Sequence, residues 1–165
     1  MYKFVLDADA TIKLAKAGVL EDFAAFAECL IPKQVYDEII KGKEKNREDA
    51  FAIDKLVSDK KLKVVNAEIE GIQENLGAGE KAALATFKTH KAEAIASDDK
   101  KFLNKLEAGG VPFTTTANLI VALVTNKKLT KDRGLRALNK IKNSIKADVY
   151  NKAKEALGGD ETWQQ

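Results

Sequence analysis

The stretch Tyr2-Lys3-Phe4-Val5-Leu6-Asp7-Ala8-Asp9-Ala10-Thr11 decides how the chain is read. A short apolar run that stops abruptly at carboxylates reads as a buried strand carrying acids to its mouth. Parallel α/β sheets bind ligands just beyond the carboxyl ends of their strands, and an Asp7 placed there keeps its charge out of the core. If that edge is a site, the rest of the chain should deliver further acids to it.

The chain has 165 residues, enough for one domain with a core that needs no disulfide or structural metal. Hydrophobic residues make up 45% and charged residues 32%, with two prolines, which excludes disordered and fibrous classes. No apolar run approaches the ~18 residues of a membrane span. The amino terminus already reads as strand and not as a secretory leader. Cys29 is the single cysteine and sits in the apolar run Cys29-Leu30-Ile31. It reads as a buried, inert thiol in a reducing, cytoplasmic setting. A net charge of +3 permits a nucleic acid partner without requiring one.

Strand and helix signals alternate along the chain. Ile12, Leu14 and Ala15 predict a helix over 10–17 closed by Gly18, and Leu20, Phe23, Ala24 and Ala27 predict a second. A strand over 29–31 leads through Pro32 into a helix over 33–41 ended by Gly42, with Glu38 bordering its buried face. The polar run 41–48 reads as a mobile surface connection. Helix resumes with Phe51, Ile53, Leu56 and Val57, a strand follows over 62–65, and 68–79 reads as a long irregular loop. A helix from Glu80 carries Ala83, Leu84 and Phe87 on its stripe, which puts a carboxylate in a first turn. A strand over 92–97 then ends in Asp98-Asp99. A helix over 100–108, a strand over 111–114 and a helix capped by Thr115 or Thr116 follow. The lysine-rich remainder reads as helices to Ile141 and over 147–157. One domain over 1–157 with a frayed tail over 158–165 is expected, arranged as a parallel three-layer α/β/α sandwich.

Four places thus bring carboxylates to a strand end or an inward helix flank: Asp7 with Asp9, Glu38, Glu80, and Asp98 with Asp99. Hard divalent cations suit such acids, since Mg²⁺ or Mn²⁺ takes oxygen ligands and retains water for chemistry. One Cys and one His argue against zinc. Acids around such an ion suit phosphodiester cleavage, with the carboxylates as ligands and at most one as general base. Each acid alone has a plainer reading. Asp98 or Asp99 can cap a helix, Glu38 can pair with Lys33 or Lys41, and Glu80 can answer a helix dipole.

The ordered set carries a resemblance. Val5-Leu6-Asp7-Ala8, Ile31-Pro32-Lys33-Gln34-Val35-Tyr36-Asp37-Glu38-Ile39, Leu76-Gly77-Ala78-Gly79-Glu80-Lys81, Ser97-Asp98-Asp99-Lys100 and Gly110-Val111-Pro112-Phe113-Thr114-Thr115-Thr116 resemble the motifs of PIN-domain proteins. The glutamate after a glycine resembles the VapC-like ribonuclease branch. The resemblance implies a five-stranded parallel sheet of order 3-2-1-4-5 and a Mg²⁺- or Mn²⁺-dependent ribonuclease. By motif position Asp7, Glu38, Glu80 and Asp99 form the implied acidic tetrad, with Asp98 as a further or alternative metal ligand. Asp9 and Thr116 are implied to position substrate. Relatives of this kind imply RNA as substrate, a small antitoxin as partner, a homodimer and no membrane.

Three positions depart from the family pattern. Asp9 stands at a usual Ser or Thr, Thr115 at a usual glycine, and Val124 at a usual basic residue. Two other functions compete. The opening stretch also resembles the first motif of haloacid-dehalogenase-type phosphatases, with Asp7 as nucleophile and Asp9 as general acid. A non-enzymatic PIN-like scaffold would instead bind RNA or a partner through Lys41, Lys43, Lys45 and Arg47.

Overall fold

The computed structural model describes residues 1–72 and 75–158. The expected frayed tail lies outside the described residues apart from Gly158. The chain runs β1 (Lys3–Leu6), α1 (Ala8–Lys16), α2 (Leu20–Phe26), β2 (Glu28–Pro32), α3 (Lys33–Ile40), a short 3-10 helix (Lys41–Lys45), α4 (Glu48–Ser58) and β3 (Lys63–Val65). It continues through α5 (Ala78–His90), β4 (Ala94–Ala96), α6 (Lys100–Ala108), β5 (Phe113–Thr114), α7 (Thr116–Thr125), α8 (Lys131–Ile141), a 3-10 turn (Lys142–Ser144) and α9 (Ala147–Ala156). The five strands form one parallel sheet in the order β3-β2-β1-β4-β5, as the resemblance implies.

Two-residue periodicity explains why the sheet is covered on both sides. In parallel register Val5 lies beside Leu30 and Ile95, and these three belong to a core closed by Ala83 and Leu84 of α5 and Phe102 and Leu106 of α6. Their neighbours Leu6, Cys29, Ile31 and Ala96 point the other way, into a larger core with Leu14, Phe23, Val35, Ile53 and Ile120. Strands buried on both faces read as continuous apolar runs, as Phe4-Val5-Leu6 and Cys29-Leu30-Ile31 do. Each such side chain contributes about 1.5–3 kcal/mol when fully buried.

Local chemistry sets the boundaries, with several departures from the sequence reading. Pro32 is the last residue of β2 and the N-cap of α3. The polar run after α3 is not an open connection: it winds into the 3-10 helix, with Gly42 buried and Lys43 ion-paired to Asp54. Asn46 ends it in the left-handed region at φ 53. Helix α5 starts at Ala78, two residues earlier than expected, so Gly79 lies inside its first turn. Both β4 and β5 are shorter than expected, because only three and two residues respectively find ladder partners. Thr115, and not Thr116, caps α7 by accepting from Asn118 N–H at 3.2 Å.

The apolar face of α7 serves the chain's own core, where Leu119, Ile120 and Leu123 are buried. The lysine-rich end packs on it through Ala137, Leu138, Ile141, Tyr150 and Ala153. The α7–α8 contact depends on Gly134: a Cβ there would meet Val124 Cγ2 at 2.5 Å and Leu157 Cδ1 at 3.3 Å. Valine cannot swing aside as a long side chain would. Gly134→Ala should therefore lower stability by about 1 kcal/mol, the overpacking cost exceeding the gain in helix propensity. Urea denaturation of Gly134→Ala, Val124→Ala and the double variant checks this; the double variant should lose less than the two singles added together.

Candidate active site

The mouth of the sheet is built where β1 and β4 end side by side. Asp7 N–H donates to the Ala96 carbonyl at 3.2 Å and Ser97 N–H to the Thr114 carbonyl at 3.0 Å, so the residues just past three neighbouring strands are held in step. Asp7 is the N-cap of α1 and accepts from Ala10 N–H at 2.8 Å. Its other side-chain partner is the Ser97 hydroxyl. Ser97 is fully buried and also accepts from Asp99 N–H at 3.2 Å, so one hydroxyl ties the two acidic strand ends together.

The Asp98-Asp99 pair divides its labour. Asp99 is exposed, and its Oδ1 accepts from Lys101 N–H at 2.9 Å and Phe102 N–H at 3.2 Å as the cap of α6. Asp98 turns inward. Its Oδ1 accepts from Thr116 N–H at 2.9 Å, and its Oδ2 accepts from Thr116 Oγ1 at 2.7 Å and Lys13 Nζ at 3.1 Å. The tetrad position given to Asp99 by motif spacing therefore holds a helix cap, and the inward carboxylate is Asp98. Thr116 is fully buried and orients it.

Lys13 carries no motif in the sequence, yet it is the cation that meets the acids of the site. It is only 8% exposed, and its ammonium lies 2.8 Å from Asp9 Oδ2 and 3.1 Å from Asp98 Oδ2. Burial pulls its pKa down, but the Asp9 and Asp98 carboxylates outweigh that and hold it above the ordinary lysine value. Its i, i+4 spacing from Asp9 was the available signal. Asp9 is thus drawn to Lys13, so the extra acid brings its own counter-charge.

Glu38 and Glu80 lie at the α3–α5 contact. Glu38 is exposed and stands over the first turn of α5, where a Cβ on Gly79 would be 3.9 Å from its Oε2. Glu80 Oε1 accepts from Gly77 N–H at 3.3 Å, satisfying an N-terminal donor of α5. The expected single pocket lined by Asp7, Glu38, Glu80 and Asp99 is therefore not closed. Among the described residues no group of three or more His, Cys, Asp or Glu side chains lies close enough to hold a metal ion. The donors nevertheless fit a hard, hydrated cation: they are all oxygen, and Mg²⁺ is typically held by one or two carboxylates with water completing its shell.

Electrostatics single out Asp7. Burial pushes its carboxyl up to about 6, Asp9 and Asp98 add to the rise, and the Ser97 and Ala10 hydrogen bonds only partly oppose it. A carboxyl raised in the folded state takes up its proton there more readily than in the unfolded chain, so its cost to stability is absent near pH 3 and complete above about 6. The rise from 3.8 to about 6 corresponds to about 3 kcal/mol. In chelator, Asp7→Asn should be more stable than the parent at pH 7.5 by an amount of that order, and the advantage should shrink as pH falls from 6 toward 4. Urea midpoints across that pH range check it; equal stabilities at all pH values would contradict it.

Cys29 is buried, and burial pushes its thiol up to about 12, which makes it inert as read from sequence. No helix among the described residues is long and apolar enough to cross a membrane. No curated protein matches the chain. A family model described as a PIN domain matches residues 3–158, from the first residue of β1 to the end of the described chain. PIN domains are generally nucleases, and that match sets aside the phosphatase alternative in which Asp7 was a nucleophile. With a parallel 3-2-1-4-5 sheet and acids at its mouth, the chain belongs to the PIN-domain family.

Proposed function

We propose that this PIN domain is a divalent-metal-dependent endoribonuclease centred on Asp7 and Asp98. The observation that carries the proposal is Asp7 itself: a partly buried carboxylate beside two others, its pKa raised by burial, at the edge of the sheet where parallel α/β folds bind ligands. Natural proteins retain such costs at sites where charge is needed for chemistry. The partners of Asp7 are a hydroxyl and a backbone N–H, whereas the ammonium of Lys13 goes to Asp9 and Asp98. A bound cation would answer the charge left on Asp7.

Asp7 and Asp98 would hold Mg²⁺ or Mn²⁺, with Glu38 and Glu80 contributing across the mouth through water. When bound, such an ion neutralises phosphate charge and lowers the pKa of a water for in-line attack. The chain's own residues do the rest. Ser97 and Thr116 fix the directions of the Asp7 and Asp98 carboxylates, and Lys13 offsets the repulsion that Asp9 would otherwise present to a phosphate. Lys13 also stands where an oxygen of the substrate could exchange for one of its carboxylate partners, taking a part that the apolar Val124 cannot.

Cleavage of single-stranded RNA by the full chain should require Mn²⁺ or Mg²⁺ and fall at least about a hundredfold in Asp7→Asn and in Asp98→Asn. Glu80→Gln should also lose activity while keeping its capping hydrogen bond. Asp99→Asn should stay within about threefold of the parent, because asparagine caps a helix as well as aspartate. RNA cleavage assays on variants whose circular dichroism is unchanged decide the matter. Full activity in Asp98→Asn together with loss in Asp99→Asn would reverse the assignment, and binding of RNA without cleavage in any divalent metal would favour the scaffold.

A further inference from the structure

A cavity of about 510 Å³ opens directly beside the acidic mouth and shares Lys13, Asp98 and Thr115 with it. Its far wall comes from the chain's end, from the 3-10 turn before α9 and the first turn of α9 itself. That volume lies within the roughly 300–1,000 Å³ usual for small-ligand sites. Nothing in the acidic centre described above uses this wall.

The chemistry of the lining is mixed in a particular way. Leu103, Ile145 and Val149 are partly buried apolar side chains, able to accept one face of a planar ring. Asn143 and Ser144, exposed residues of the 3-10 turn, offer donors and acceptors. Lys100 and Lys146 stand exposed on the rim with Asp148, while Lys13 is paired with Asp98 and Asp9. Asp98 is already engaged by Thr116 and Lys13. Helix α9 begins at this wall with no side chain capping its N-terminus, so its first N–H groups add positive potential. An apolar wall, amide and hydroxyl hydrogen-bonding groups, and two exposed lysines on the rim match a nucleotide: a flat base with polar edges joined to a phosphate.

We propose that this cavity is a nucleotide subsite that receives the base and sugar next to the phosphate attacked at the acidic mouth. The base lies against Leu103 and Val149, its edge meets Asn143 and Ser144, and its phosphate faces Lys13, Lys146 and the start of α9. Because a base can enter such a slot only when unstacked, the subsite restricts the substrate to single-stranded or splayed positions. The word "next" rests on the nuclease reading above; occupancy by a nucleotide does not.

The test titrates the full chain, in chelator without divalent metal, with each of the four ribonucleoside 5′-monophosphates and with inorganic phosphate, followed by amide NMR. The expected result is saturable shifts at Leu103, Ser144, Ile145 and Val149 with the monophosphates, of unequal affinity among the bases. Val149→Trp, which fills the slot, should weaken binding about tenfold or more. The exposed-turn double variant Asn143→Ala/Ser144→Ala, which poses little risk to folding, should level the differences among bases. The proposal is overturned if monophosphates leave those amides unmoved at millimolar concentration. It is equally overturned if inorganic phosphate reproduces both shifts and affinity, since the site would then hold an anion only. Nucleotide binding in a chain that cleaves no RNA in Mn²⁺ would sink the nuclease reading and leave the subsite standing. Cleavage without nucleotide binding would sink the subsite alone.

Discussion

Carboxylates crowded at one edge of the sheet set the terms for this molecule. Asp7, Asp9 and Asp98 feel one another at the mouth of a parallel sheet, and among the described residues Lys13 is the one buried cation placed among them. Between the largely buried Lys13 and Asp98, the attraction is screened less than it would be at the surface. Lys13 therefore cannot be removed cheaply, since breaking a buried pair leaves an uncompensated charge worth about 3–5 kcal/mol. The ammonium of Lys13 goes to Asp9 and Asp98, while the carboxylate of Asp7 accepts from the Ala10 N–H.

The fold supplies the geometry that makes this imbalance possible. Three neighbouring parallel strands end together, so the residues that follow them, Asp7, Ser97 with Asp98, and Thr115 with Thr116, reach one place although they are far apart in the chain. Buried hydroxyls then do what charged partners cannot. Ser97 links Asp7 to the backbone of Asp99, and Thr116 holds Asp98 with both its hydroxyl and its N–H, fixing direction without neutralising charge. The glutamates come from a different joint, the packing of α3 on α5, where Val35 and Glu38 face the helix start at Gly79. That separation explains why they border the centre without completing a closed metal cage.

Much of this architecture was legible before any coordinates. Val5-Leu6-Asp7, Cys29-Leu30-Ile31 and Ile95-Ala96-Ser97 are too short and too apolar to be anything but strands buried on both faces, and their spacing demands crossover helices. The polar run from Lys41 was read as mobile because it lacks large apolar residues. It is held instead by the burial of Gly42 and the Lys43–Asp54 pair, contacts between segments that no local pattern announces. Similarly, the lysine-rich end reads from its sequence only as helices, yet its turn at Asn143-Ser144 forms one wall of the cavity beside the acids.

The sequence by itself determined the strand and helix order, the parallel sheet and the small set of acids that could matter, because apolar periodicity and residue type are local properties; the family entered through the resemblance of its ordered motifs. Only the tertiary structure decided what each acid does. Asp98 and Asp99 are chemically identical neighbours, and which of them caps α6 and which turns toward Thr116 depends on the direction in which β4 leaves the sheet. Lys13 was one lysine among many until the α1 helix carried it across to a carboxylate 85 residues away. Charge partners distant in sequence are chosen by packing, and packing is a property of the whole chain.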